Sequence, residues 1–115
     1  MEKQIDLVMM QNRLKKQLKV LSTRVKVEKE RAAPNSLANP DRADLAYDYA
    51  YRARRLSMLE QLEEQLEETN QALQRIENDT YGQCTHCGEF ILPDRLEALP
   101  SAPLCINCQR KTSAN

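Results

Sequence analysis

The chain of 115 residues is 41% apolar and 30% charged, with one Phe and no Trp, and its 17 Lys and Arg balance 17 Asp and Glu. So much charge and so few aromatics exclude a large globular core, and no run approaches the eighteen or more apolar residues of a membrane span. The architecture must be elongated or stapled.

The zero net charge conceals a division along the chain. Residues 1 to 33 carry nine Lys and Arg against four acids, residues 41 to 79 five against ten, and residues 80 to 115 three against three. The opening MEKQIDLVMMQNRLKK has no apolar core of a signal peptide, so the expected location is the cytoplasm. Leu7, Leu14, Leu18, Leu21 and Val25 then repeat at the three-four spacing of a coiled-coil seam, which predicts a helix over about residues 3–32.

Pro34 and Pro40 flank the polar stretch that follows and forbid one continuous helix, so residues 33–40 read as a loop. A second helix is expected over 41–79, with Leu45, Tyr49, Leu56, Leu59, Leu66 and Leu73 on its seam, Leu62 and Ile76 widening the stripe, and Arg52 snorkelling outward. The first helix is basic and the second acidic, which suits them to lie side by side as an antiparallel hairpin spanning residues 1–79. Helices of these lengths run roughly 43 Å and 57 Å, with a paired cross-section of about 10 by 20 Å. The acids Glu60, Glu63, Glu64, Glu67 and Glu68 read as a solvated face of the second helix. Asp41 and Asp44 open that helix, where the helix dipole favours acids and capping alone accounts for much of their presence.

Residues 80–115 hold the chain's four cysteines in two pairs, Cys84-Thr-His-Cys87 and Cys105-Ile-Asn-Cys108, with seventeen residues between them. Two C-x-x-C turns supply four soft ligands for one tetrahedral zinc ion, and Gly88 sits where such a knuckle needs a positive φ. With every coordination position filled by protein, the ion is structural, and His86 is left facing solvent. Two disulfides would require an oxidising compartment, and a redox pair would require a βαβ setting that this chain lacks. Phe90, Ile91, Leu92, Leu96, Leu99, Leu104 and Ile106 are expected to form a small core around the metal.

These residues carry a resemblance. A second helix opening Asp41-x-x-Asp44-x-Ala46, the 38-residue interval from Ala46 to Cys84, the run Tyr81-Gly82-Gln83-Cys84-Thr85-His86-Cys87-Gly88, then Arg95-Leu96-Glu97-Ala98, Pro100 and Cys105-Ile106-Asn107-Cys108-Gln109 resemble the DksA/TraR family of bacterial transcription regulators. The resemblance implies a mainly α fold, a long antiparallel coiled-coil hairpin followed by a small four-cysteine finger, and one structural zinc. It also implies binding to RNA polymerase without any need for direct DNA contact. The hairpin tip would enter the secondary channel, with Asp41, Asp44 and Ala46 acting near the polymerase active site. Arg95, Arg110 and Lys111 are candidate contacts to the polymerase rim. A register three residues away would match Asp41-Arg42-Ala43 to the end of the family motif and put Ala38 at the first acidic position. In long members guanosine tetraphosphate is held by basic residues at positions that correspond here to Glu68, Leu99 and Gln109, so that site is not expected to form in the same way.

Two other classes compete. A nucleic-acid-binding zinc protein normally shows a basic patch with stacking aromatics, whereas the finger segment is neutral and holds only Tyr81 and Phe90. A structural coiled-coil adaptor would bury the same seam between chains, whereas a hairpin buries it within a monomer. An enzyme is the weakest reading, because the chain has one histidine, no open metal position and no nucleophile beside a base.

Overall fold

The computed structural model describes residues 5–32 and 45–113 of the chain. Among the described residues four helices follow in order: α1 (Leu7–Ala32), α2 (Leu45–Glu77), α3 (Pro93–Ala98) and α4 (Ile106–Ser113). No strand occurs among the described residues, only an isolated antiparallel bridge between Gln83 and Phe90.

Both long helices have ends set by local chemistry. The Asp6 carboxylate accepts the Met9 backbone N–H at 3.1 Å, satisfying a donor that the first turn would otherwise leave bare. The first helix therefore begins at Leu7 and not near residue 3. At the C-terminal end of α2, Thr80 N–H donates to the Arg75 carbonyl at 2.9 Å and Asp79 N–H to the Ile76 carbonyl at 3.3 Å. That bond pair is a Schellman closure around Asp79, which takes the left-handed φ of 60° usually given to glycine. It stops α2 at Glu77, two residues before the expected end.

The chain divides into two compact units, residues 1–18 with 67–115 and residues 19–66. In the second unit Leu21, Val25 and Leu62 are buried together, with Leu59 and Leu66 packed against them. Beside this apolar layer lies a polar one: Arg55 donates through Nη1 to the buried Glu28 carboxylate at 3.1 Å and through Nε to the Tyr51 hydroxyl at 3.1 Å, while Arg31 approaches Glu28 at 3.5 Å. As partner numbers rise along α1 they fall along α2, so the two helices are antiparallel. In the first unit Met10, Leu14, Thr69 and Ala72 are buried, and Gln17 donates to the Thr69 hydroxyl at 3.1 Å.

The seam differs from its sequence reading. Leu7, Tyr49 and Leu56 are 46%, 81% and 49% exposed, whereas Met10, Glu28, Leu62 and Thr69 are buried. On α2 the inward positions run Asp48, Tyr51, Arg55, Leu59, Leu62, Leu66, Thr69, Leu73 and Ile76 at steps of three or four, with Ala72 buried beside Leu73. Four of these are polar, so a search for apolar residues alone slides off the true stripe at its N-terminal end. Arg52, which its spacing places in the seam, is exposed and lies off it, with Tyr51 and Arg55 turned inward instead. Asp41 and Asp44 lie outside the described residues, and Ala46 lies in the first turn of α2.

Candidate metal centre

The first cysteine pair is shaped by backbone hydrogen bonds that close a tight turn. Tyr81 donates its hydroxyl to the Pro100 carbonyl at 2.8 Å, and Gly82, at φ 90°, accepts Ile91 N–H at 2.7 Å. Cys84 N–H then donates to the Glu89 carbonyl at 2.8 Å while Gly88 N–H returns to the Cys84 carbonyl at 3.0 Å. Gly88 has φ 79°, which an L side chain rarely adopts, although a Cβ there would meet nothing within 4 Å. The requirement at Gly88 is thus conformational and not steric.

The second pair is positioned by the start of α4. Gln109 N–H donates to the Cys105 carbonyl at 2.9 Å, and Cys108 N–H faces the Cys105 sulfur at 3.5 Å. Thr85 N–H donates to the Pro103 carbonyl at 2.9 Å and ties the two pairs together. All four sulfurs lie within 4.8 Å of one another, and none is in a disulfide.

These residues fit zinc. Zn–S bonds of about 2.3 Å in a tetrahedron place neighbouring sulfurs about 3.8 Å apart. Cys87 Sγ and Cys105 Sγ stand at 3.8 Å. The site is a four-thiolate cage with no open position, so the ion braces the fold. Cys84 and Cys108 are buried, Cys105 is half-buried and Cys87 is exposed, which leaves the cage one accessible edge. His86 is exposed and stands outside the group of four sulfurs.

The thiols differ before metal binds. Burial pushes Cys84 up, but the backbone N–H groups of Cys87, Cys105 and His86 outweigh it and leave the thiol at about 5. Burial and the neighbouring thiols push Cys108 up to about 12. The Glu89 backbone N–H pulls Cys87 down, but desolvation of its sulfur within the cluster and the Cys84 and Cys105 thiols outweigh it and leave it raised. At pH 7 Cys84 is then a thiolate while Cys87 and Cys108 keep their protons, so zinc binding must release at least two protons and fewer than four. Calorimetry at pH 7 in buffers of differing ionisation enthalpy measures that number. Apparent zinc affinity is therefore expected to fall with pH across the neutral range, where Cys87 and Cys108 must give up protons, and to fall more steeply below about 5, where Cys84 is protonated as well.

Around the cage, Ile91 and Leu96 form the buried core with Cys84 and Cys108, and Tyr81, Leu104 and Cys105 pack against it. Arg13 of α1 donates to the Glu97 carbonyl at 2.9 Å, and Arg95 donates through Nε to the Leu104 carbonyl at 3.1 Å. Four residues that the sequence places in the core are not there: Phe90, Leu92, Leu99 and Ile106 are 76%, 67%, 52% and 43% exposed. In an extended segment side chains alternate, so burying Ile91 turns Phe90 and Leu92 outward. Cys105 and Cys108 take the inward face of the first turn of α4, which leaves Ile106 outside. Phe90, Leu92 and Ile106 border an open depression of about 490 Å³ beside Cys87 and Cys105, whose wall includes Arg95 and Lys111. Arg110 and Lys111 are exposed in the last turn of α4.

Comparison with known proteins places this geometry. Residues 79–114 match the family described as prokaryotic dksA/traR C4-type zinc finger. RNA polymerase-binding transcription factor DksA of Haemophilus influenzae is 36% identical over 69 residues, covering 60% of this chain and 46% of that protein. General stress protein 16O of Bacillus subtilis is 46% identical over 46 residues, covering 40% of this chain and 28% of that one. The matched segments thus span less than half the length of these curated relatives. Among solved structures, transcription factor DksA2 from Pseudomonas aeruginosa matches with a TM-score of 0.78 at 29% identity, over 94% of this chain and 83% of that chain.

Proposed function

We propose that this chain, whose residues 79–114 match the dksA/traR C4-type zinc finger, is a DksA/TraR regulator that binds RNA polymerase and modulates transcription initiation by inserting its hairpin tip into the secondary channel. The observation that carries the reading is the joint match of hairpin and finger to DksA2 over 94% of the chain, since a finger alone would serve many partners. Asp41 and Asp44 are assigned to the tip, with Ala46 one helical step behind them. Short carboxylates at a helix end reach basic side chains or a metal-bearing site with little entropy to lose. The finger rests on the polymerase exterior, with Arg95, Arg110 and Lys111 as contacts.

The exposed apolar edge supports that placement. Phe90, Leu92 and Ile106 stand outside a finger whose buried aliphatic side chains, among the described residues, are Ile91, Leu96 and Ala102, and an apolar patch flanked by cations suits a protein surface. The protein acts as a cytoplasmic monomer, needs no DNA contact of its own, and is an effector of an enzyme and not an enzyme. Glu68, Leu99 and Gln109 offer no cation to a polyphosphate, so regulation does not depend on a guanosine tetraphosphate site of the long-member type. Asp41→Asn with Asp44→Asn is expected to keep affinity for polymerase within about twofold, because exposed charges contribute little to binding, yet to abolish the effect on transcription in vitro. Unchanged regulation by the double variant refutes the tip mechanism.

A further inference from the structure

Within the 19–66 unit, residues 19–32 and 45–58 concentrate positive charge and exposed tyrosines. On α1, residues 19–32 carry Lys19, Arg24, Lys26, Lys29 and Arg31 against Glu28 and Glu30. On α2, residues 45–58 carry Arg52, Arg54 and Arg55 against Asp48. The rest of α2, residues 59–77, reverses the sign, with six acids and one cation, Arg75. Of the three acids in the basic part, Glu28 is already engaged by Arg55 and Arg31. Lys19, Arg24, Lys26, Lys29, Arg52 and Arg54 are all exposed.

Three of the chain's four tyrosines lie in the same part, at positions 47, 49 and 51. Tyr51 is half-buried and occupied by Arg55, whose guanidinium lies 5.1 Å from its ring centre. Tyr47 and Tyr49 are 52% and 81% exposed. Each shares a helix face with an arginine, Tyr49 with Arg52 at i+3 and Tyr47 with Arg54 at i+7. Lys19, Lys26 and Lys29 likewise fall on one face of α1, spread over about 15 Å at the helical rise.

We propose that one flank of this unit, Lys19, Lys26 and Lys29 of α1 with Arg52 and Tyr49 of α2, binds single-stranded nucleic acid, its lysines and arginine taking phosphates and Tyr49 stacking on a base. Cations alone would suit any polyanion. An aromatic ring almost wholly in water, next to an arginine, adds a platform that only an unstacked base can use, which favours a single strand over a duplex or an anionic membrane. This binding is independent of polymerase and is measured in its absence.

The test is fluorescence anisotropy of labelled 20-nucleotide oligo(U) and oligo(dT) with the zinc-loaded full chain between 50 and 200 mM KCl. Binding is expected to weaken with salt, the log–log slope counting the phosphates contacted. Either Lys26→Gln with Lys29→Gln on α1 or Arg52→Gln on α2 is expected to weaken binding several-fold and to flatten that slope, whereas Arg54→Gln on the opposite flank is expected to do neither. Tyr49→Leu is expected to weaken binding roughly tenfold while leaving the slope unchanged, the mark of a stacking contact. Circular dichroism of each variant confirms that the helices persist. Absence of binding at 50 mM salt overturns the proposal. So does equal affinity for heparin, duplex DNA or anionic phosphatidylserine vesicles with no dependence on Tyr49, which would reduce the surface to a non-specific polyanion site.

Discussion

Removing zinc is expected to unfold the finger, with a loss of apparent folding free energy on the order of 10 kcal/mol. Only Ile91 and Leu96 are aliphatic among the buried residues of that cluster, too little apolar area to offset the entropy of ordering residues 80–113. Ligand replacements should rank by burial. Cys108→Ser, at 5% exposure, puts a weak oxygen ligand where no water can take over, whereas Cys87→Ser lies at the open edge, where water can complete the coordination. Cys108→Ser is therefore expected to purify with little or no zinc and Cys87→Ser with reduced affinity. Most far-UV helicity should survive in both, because residues 19–66 carry their own buried layer. Amide hydrogen exchange with and without chelator, read for the finger and for residues 19–66 separately, checks this directly. A finger that stays protected without metal would show that its packing suffices.

The second large effect concerns which leucines hold the helices together. Leu62→Ala removes a side chain 4% exposed, packed with Leu21 and Val25, and is expected to destabilise the 19–66 unit by about 3 kcal/mol. Leu14→Ala, at 0% exposure in the other unit, is expected to cost a similar amount. Leu56→Ala, at 49% exposure, is expected to change stability by less than about 1 kcal/mol, because little apolar surface is returned to water. Urea denaturation of the three variants separates the observed seam from the stripe that apolar spacing alone suggests. Equal losses at Leu56 and Leu62 would contradict the observed packing.

That contrast shows where the sequence was legible. Cysteine spacing defined the metal cage, because four ligands at fixed separations admit few arrangements, and the positive φ of Gly88 followed from the turn they impose. Helix type and antiparallel pairing were equally readable from long three-four periodicity. The phase of α2 was not. From Asp48 to Arg55 the inward positions are polar, and an arginine satisfied by a buried glutamate on another helix looks, in sequence, like a surface residue. Ends were also obscured: Asp6 caps with its own carboxylate, and Asp79 takes a backbone conformation that its residue type does not announce. In the finger a tally of apolar residues overstated the core, since alternation about Ile91 sends Phe90 and Leu92 to the surface.

Those outward residues bear on function. A small domain that leaves its one phenylalanine 76% exposed beside a depression walled by Arg95 and Lys111 keeps a face suited to another protein, while the metal supplies stability that those residues do not. Stability and recognition are thereby separated within about thirty residues.

The central claim, entry of the hairpin tip into the polymerase secondary channel, is tested most directly by site-specific photocrosslinking. A photoreactive phenylalanine analogue at Tyr47, exposed in the first turn of α2, avoids the cysteine chemistry that would disturb the zinc cage. Irradiated with purified RNA polymerase, it is expected to crosslink to residues lining the secondary channel, and an excess of unlabelled protein should compete the crosslink away. Crosslinks confined to the outer surface, or none at concentrations that saturate binding, would contradict the account.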